Sequence, residues 1–233
     1  MLELKNFSNF ILKDISFILE KSENLLILGE NGAGKSTLAK VLSNLLPSSN
    51  LFFESKNIKD LSSYDRAKYI NYIPSRFEIF DEYLNVLEYL KLSIIEEKNI
   101  EDIEKIISLL KLEDIKFNSC VDFSSGEQQL LLLASSLLHN AKITIFDELT
   151  ANLDLNRVKD VFDILNSSLL SQKIVITHNL DFAYALKDFK VLFLQKGSLK
   201  FFGSHSEFFI QENLNIFYGE NLKLLDSHLV LDL

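Results

Sequence analysis

Gly29-Glu30-Asn31-Gly32-Ala33-Gly34-Lys35-Ser36-Thr37 is the stretch that decides the fold. It fills the pattern G-x-x-x-x-G-K-[ST] without a mismatch. The apolar run Leu25-Leu26-Ile27-Leu28 leads into it, as a strand buried on both faces would. A helical pattern follows from Thr37 to Leu46 and stops at Pro47. Strand, glycine loop and helix together are the context that a phosphate-binding loop needs. Glycines let the backbone turn its N–H groups toward phosphate, and the helix N-terminus adds a potential that favours negative charge. Lys35 is expected to reach the β- and γ-phosphates, and the Ser36 hydroxyl to ligate Mg²⁺. All nine residues, from Gly29 to Thr37, are candidate nucleotide contacts.

Outward from the loop, strands and helices alternate. Ile15, Phe17 and Leu19 give a strand with one apolar face. Ile143-Thr144-Ile145-Phe146 ends at Asp147, and Ile174-Val175-Ile176 ends at Thr177-His178. Val191 to Leu194, a Lys196-Gly197 turn and Leu199 to Phe202 form a hairpin pattern. Helical patterns cover Asn85 to Ile95, Ile100 to Leu112, Gly126 to Leu138 and Leu155 to Leu170. This alternation indicates an α/β domain with a mainly parallel sheet. The section from 76 to 139 lacks a strong strand and is expected to be a helical insertion.

Composition narrows the functional classes. The 233 residues suffice for one core or one domain with an inserted subdomain. The net charge of -9 and the lack of a Lys/Arg block argue against nucleic acid, which needs a basic surface to release counterions. The single cysteine, Cys120, allows no intrachain disulfide. The first residues lack the basic-then-apolar order of a signal peptide. No run approaches the roughly 20 apolar residues that span a bilayer. Work at a membrane would therefore require something else to hold the protein there.

Further motifs select a family. Ser124-Ser125-Gly126-Glu127-Gln128-Gln129 resembles the signature motif of ATP-binding cassette proteins. Ile143 to Glu148 looks like their Walker B strand with the catalytic glutamate, Ala151-Asn152-Leu153-Asp154 like their D-loop, and Ile176-Thr177-His178 like their switch-histidine loop. The motifs stand in family order, and the resemblance runs from about residue 2 to the end. It implies a P-loop NTPase core (1–75 and 140–233), with an antiparallel N-terminal β part and a helical signature subdomain (76–139). It implies that Asp147 holds Mg²⁺ through its water shell, beside the Ser36 hydroxyl. Glu148 would orient or deprotonate the attacking water, and His178 would contact the γ-phosphate. Ser124, Gly126 and Asp154 would meet an ATP bound to a neighbouring chain. Ser124 also fits a simple helix cap, with Glu127 completing a capping box.

The implied assembly is a head-to-tail dimer, read as a homodimer, on permease subunits at the cytoplasmic face of a membrane, with a substrate-binding protein supplying the permease. Leu61 to Ile70 and the tail Glu212 to Gly219 resemble segments of importers of iron-siderophore, haem or cobalamin type. Several positions depart from the family pattern. Ser75 follows Tyr72-Ile73-Pro74 where the family has Gln, so hydrolysis or coupling is expected to be weakened. Ser125 replaces a glycine and Leu149 a proline, and the helix after the signature lacks basic residues. Phe10 is a candidate for stacking on adenine and equally a candidate core residue. The rival functional class is a nucleotide-binding regulatory subunit with little catalysis. Soluble cassette proteins of translation or DNA repair are the other alternative. They carry two cassettes or long coiled coils, which 233 residues with one signature do not match.

Overall fold

The computed structural model describes residues 1–76, 81–96, 100–220, 222–225 and 228–231. Residues 77–80 and 97–99, part of the expected helical insertion, lie outside them. The first elements are β1 (Leu2–Asn9), β2 (Leu12–Leu19), β3 (Asn24–Gly29), α1 (Lys35–Leu42), β4 (Leu51–Phe53) and β5 (Lys56–Asn57). Next come α2 (Ser63–Tyr69), β6 (Ile70–Ile73), α3 (Val86–Leu92), α4 (Ile100–Leu109) and α5 (Ser125–His139). β7 (Ile143–Asp147), α6 (Leu155–Asn166), β8 (Gln172–Ile176), α7 (Leu180–Ala185) and β9 (Phe189–Gln195) follow. β10 (Ser198–Gly203), α8 (His205–Phe208), α9 (Gln211–Tyr218), β11 (Leu222–Leu225) and β12 (His228–Leu231) complete the order. They gather into two compact units, Met1–Asp60 with Ile174–Leu233, and Leu61–Lys173.

In the first unit the strand order is β5-β4-β1-β2-β10-β9-β3-β8. β3 lies parallel to both neighbours, with Leu26 opposite Val175 on one side and Val191 on the other. Leu25 to Leu28 are fully buried, as an apolar run between two layers should be. β1 and β2 pair antiparallel, and Leu12, Ile15, Phe17 and Leu19 of β2 are buried. The sheet is thus mixed, parallel around β3 and antiparallel toward β5. At the tail, rings join α8 and α9 to the sheet. Phe208 and Phe217 stack at 5.4 Å, and Phe217 lies 4.5 Å from Phe193 of β9.

The β9–β10 hairpin turns at Lys196 and Gly197, both with positive φ (50° and 81°), which matches the twist of tight hairpins. A Cβ on Gly197 would run into the Ile11 carbonyl oxygen, so glycine is required there. The Gly197 N–H donates to the Ala33 carbonyl at 3.1 Å, and the Gly197 carbonyl accepts from the Lys13 N–H at 2.8 Å. This turn therefore ties the glycine loop to the start of β2.

In the second unit β6 and β7 pair in parallel, with Tyr72 opposite Ile145. All five residues of β7 are buried. Helices α3 and α4 pack on α5, whose Leu130 to Leu138 are buried. Some expected helices end early for local reasons. α1 stops at Leu42 with Asn44 in left-handed backbone, before Pro47 is reached. α6 stops at Asn166 rather than Leu170. Ser167 is extended there and its hydroxyl bonds back to the Ile164 carbonyl at 2.7 Å. α4 ends at Leu109, with Lys111 left-handed (φ 56°).

Candidate functional site

The glycine loop of the first unit is built as an anion cradle. Gly29, Gly32 and Gly34 have φ of 145°, 79° and 105°, a region that suits glycine. A Cβ at Gly29 would run into the Leu194 carbonyl, whereas at Gly32 nothing lies within 4 Å. Gly34 is the N-cap of α1. Among the described residues no side chain caps that helix and no acidic residue sits in its first turn. Its leading amides keep their positive potential for an external anion. The Lys35 ammonium donates to the Gly29 carbonyl at 2.7 Å and the Glu30 carbonyl at 3.1 Å, which holds it over the loop. Glu30, Asn31 and Ser36 are exposed, Thr37 is half-buried, and Ala33 is buried beneath the loop.

Two more features belong to this unit. The β1–β2 turn brings Ile11 against the loop, because a Cβ on Gly34 would lie 3.2 Å from its Cδ1. Phe10, at the same turn, has φ 57° and is 54% exposed, so the core reading of this residue fails. His178 is exposed just after β8. Asn179 beside it caps α7 by accepting from the Phe182 N–H at 3.0 Å.

The second unit carries the carboxylates and the signature. Asp147 ends β7 at 2% exposure. Its Oδ2 accepts from the Tyr72 hydroxyl at 3.0 Å. Its Oδ1 is buried and has no hydrogen-bond partner among the described residues. Burial, then the Asp147 charge, push the Tyr72 phenol well above its ordinary range, so it stays a neutral donor. An orphaned carboxylate oxygen is what a site for Mg²⁺, directly or through water, should present. Glu148 follows, half-buried, with φ 59°. That conformation costs about 1–3 kcal/mol for a residue with a Cβ, and such strain concentrates at functional positions.

Ser124 starts α5 through a full capping box. Its hydroxyl donates to Glu127 Oε2 at 2.6 Å, its N–H to the same oxygen at 2.9 Å, and its Oγ accepts from the Glu127 N–H at 3.3 Å. Asp154 caps α6 by accepting from the Arg157 N–H at 2.9 Å. A cavity of about 410 Å³ lies between the two helix starts, lined by Ser124, Ser125, Gly126, Asn152, Asp154 and Arg157. Gly126 is close to the backbone there, since a Cβ would sit 3.4 Å from the Asn152 carbonyl. The structure thus brings Ser124, Gly126 and Asp154 together around one cavity.

Two partners escaped the sequence reading. Tyr72 was legible only as part of Tyr-Ile-Pro, and its bond to Asp147 spans 75 positions. Gln129, 3% exposed, donates to the Ser75 carbonyl at 2.9 Å and ties the signature helix to the position where glutamine is missing. No local signal marks either contact, because each depends on elements distant along the chain.

The family model for ABC transporters matches residues 12–151, more than half of the chain. A probable iron chelatin transport ATP-binding protein of Helicobacter pylori is 30% identical over 197 residues, covering 77% of each chain. The energy-coupling factor transporter ATP-binding protein EcfA1 of Fusobacterium nucleatum is 31% identical over 246 residues, 98% of this chain and 91% of its own. Among solved structures, the dimeric post-hydrolysis state of an ATP-binding cassette bound to ADP and Pi superposes with a TM-score of 0.75. It shares 20% identity and covers 88% of this chain and 99% of that one. With the glycine loop, the Asp147-Glu148 strand end and the signature cavity in their family order, the chain belongs to the ABC transporter family, as an ATP-binding subunit.

Proposed function

We propose that the chain is a single cassette domain that hydrolyses ATP to energise a membrane transporter. Its nucleotide-binding core is 1–75 with 140–233, and its helical signature subdomain is 76–139. Gly29 to Thr37 bind the phosphates, with Lys35 supplying the fixed positive charge. Ser36 and Asp147 hold Mg²⁺, which, when bound, neutralises charge on the phosphates. Glu148 orients the attacking water and accepts its proton, and His178 contacts the γ-phosphate. Ser124, Gly126 and Asp154 meet ATP held by a second copy, so the working form is a dimer.

The observation that carries the hydrolytic reading is Glu148, whose strained backbone is retained directly after the buried Asp147. Glu148→Gln should lower phosphate release by roughly 10²–10⁴-fold, the usual contribution of a general base. The variant should keep its ATP affinity and accumulate as an ATP-dependent dimer in light scattering. Undiminished turnover would remove Glu148 from its role. A wild-type chain that binds ATP yet releases no phosphate would support the regulatory reading.

The transporter is read as an importer of the iron-siderophore, haem or cobalamin type, with permease subunits and a substrate-binding protein as partners. Support comes from the Leu61 to Ile70 and Glu212 to Gly219 segments and from the name of the Helicobacter pylori relative. The EcfA1 relative favours a second reading, a cassette of an energy-coupling factor transporter. The two differ in the permease that would bind.

A further inference from the structure

Asp147 is a buried carboxylate with unequal oxygens. One is held by the Tyr72 hydroxyl at 3.0 Å, and the other is buried without a hydrogen-bond partner among the described residues. A buried carboxylate normally satisfies both oxygens, because each unpaired acceptor keeps a desolvation penalty. The unpartnered oxygen is therefore the one available to an external ligand. The held oxygen marks how the group is aimed. In the β6–β7 register Tyr72 stands opposite Ile145, which shares a strand face with Asp147 two residues on. The phenol thus reaches one step along the strand and fixes the rotation of the carboxylate.

We propose that Tyr72 is a positioning residue for the divalent cation: its hydroxyl holds Oδ2 of Asp147 and leaves Oδ1 as the oxygen that would take part in holding the cation. This rests on the nucleotide reading above. Groups that orient a metal's ligands commonly contribute 10–100-fold to metal affinity. A packing role alone would place a ring at position 72 and make the hydroxyl dispensable.

The test is Tyr72→Phe in the full chain, which keeps the ring volume and removes one oxygen. Binding of a fluorescent ATP analogue is titrated with Mg²⁺ and repeated in EDTA, and Mn²⁺ binding to the nucleotide-loaded protein is followed by electron paramagnetic resonance. The expected result is a cation midpoint raised about tenfold, at the low end of the range for such groups. Nucleotide affinity in EDTA should not change, and kcat should recover at saturating Mg²⁺. In an Asp147→Asn background the Tyr72→Phe change should have no further effect on the midpoint, because Tyr72 acts through that carboxylate. An unchanged midpoint in Tyr72→Phe, whatever its melting temperature, overturns the proposal while leaving the nucleotide reading intact. A wild-type chain that binds nucleotide identically with Mg²⁺ and with EDTA overturns the proposal through its premise of a metal. A wild-type chain that binds no nucleotide overturns the functional reading itself.

Discussion

Phe10 is a large apolar ring with 54% of its surface exposed, held in left-handed backbone next to Ile11, which lies against the glycine loop. Exposure of a phenylalanine is unfavourable by about 25 cal/mol per Å² of apolar surface, so a ring kept there at a turn suits a surface meant to be covered. Adenine is the obvious cover, since every base offers a flat face for stacking. Phe10→Ala should weaken ATP binding by about 1–3 kcal/mol, the usual value of one aromatic–base stack. Calorimetry would read this as a fivefold or larger rise in Kd. Affinity for inorganic tripolyphosphate should be unaltered. Equal losses for both ligands would mean that the ring supports the loop and does not touch the base.

Among the elements, the β9–β10 hairpin bears most directly on the site. Its turn accepts from Lys13 and donates to Ala33, so one two-residue turn holds both the start of β2 and the glycine loop. Gly197 has no room for a Cβ and has φ 81°, two independent reasons for glycine. Gly197→Ala should destabilise the chain by more than about 1 kcal/mol, because strain at positive φ adds to the collision. For a chain of this size each kcal/mol lowers the melting temperature by roughly 2–4 °C. ATP affinity should fall as well, because a turn displaced by the new methyl moves its N–H away from the Ala33 carbonyl. A variant with wild-type melting and wild-type affinity would mean that the loop holds its shape without the hairpin. On α5, the same residues that resemble the family signature build a capping box, so a structural demand and the proposed binding role fall on one residue, Ser124.

For the molecule as a whole, the described residues contain no helix long and apolar enough to cross a membrane. Under the transport reading proposed above, a permease supplies the membrane-spanning part. Pulling a tagged chain from gently solubilised membranes of its own cell and identifying co-purifying chains by mass spectrometry should recover a polytopic permease. Its type would separate the iron-chelate reading from the energy-coupling factor reading. An abundant, soluble chain with no permease would redirect attention to a regulatory role and to Ser75, where the usual glutamine is absent.

What the sequence determined by itself is the local chemistry. Glycines that turn the loop, the lysine behind them, apolar runs on either side and the Ser124–Glu127 cap are short-range patterns, and their physics is complete within a few residues. Helix ends were less legible, because α1 and α6 stop at single residues: Asn44, which takes left-handed backbone, and Ser167, whose hydroxyl bonds back to the Ile164 carbonyl. Only the tertiary structure decided which groups meet. Tyr72 reaches Asp147 across 75 positions and Gln129 reaches Ser75 across 54. Gly197 needs its bare α-carbon because of Ile11, far away along the chain. Phe10 proved to be surface and not core because a turn, not its hydrophobicity, sets where it points. Such contacts depend on how strands register against one another, and no run of neighbouring residues encodes that.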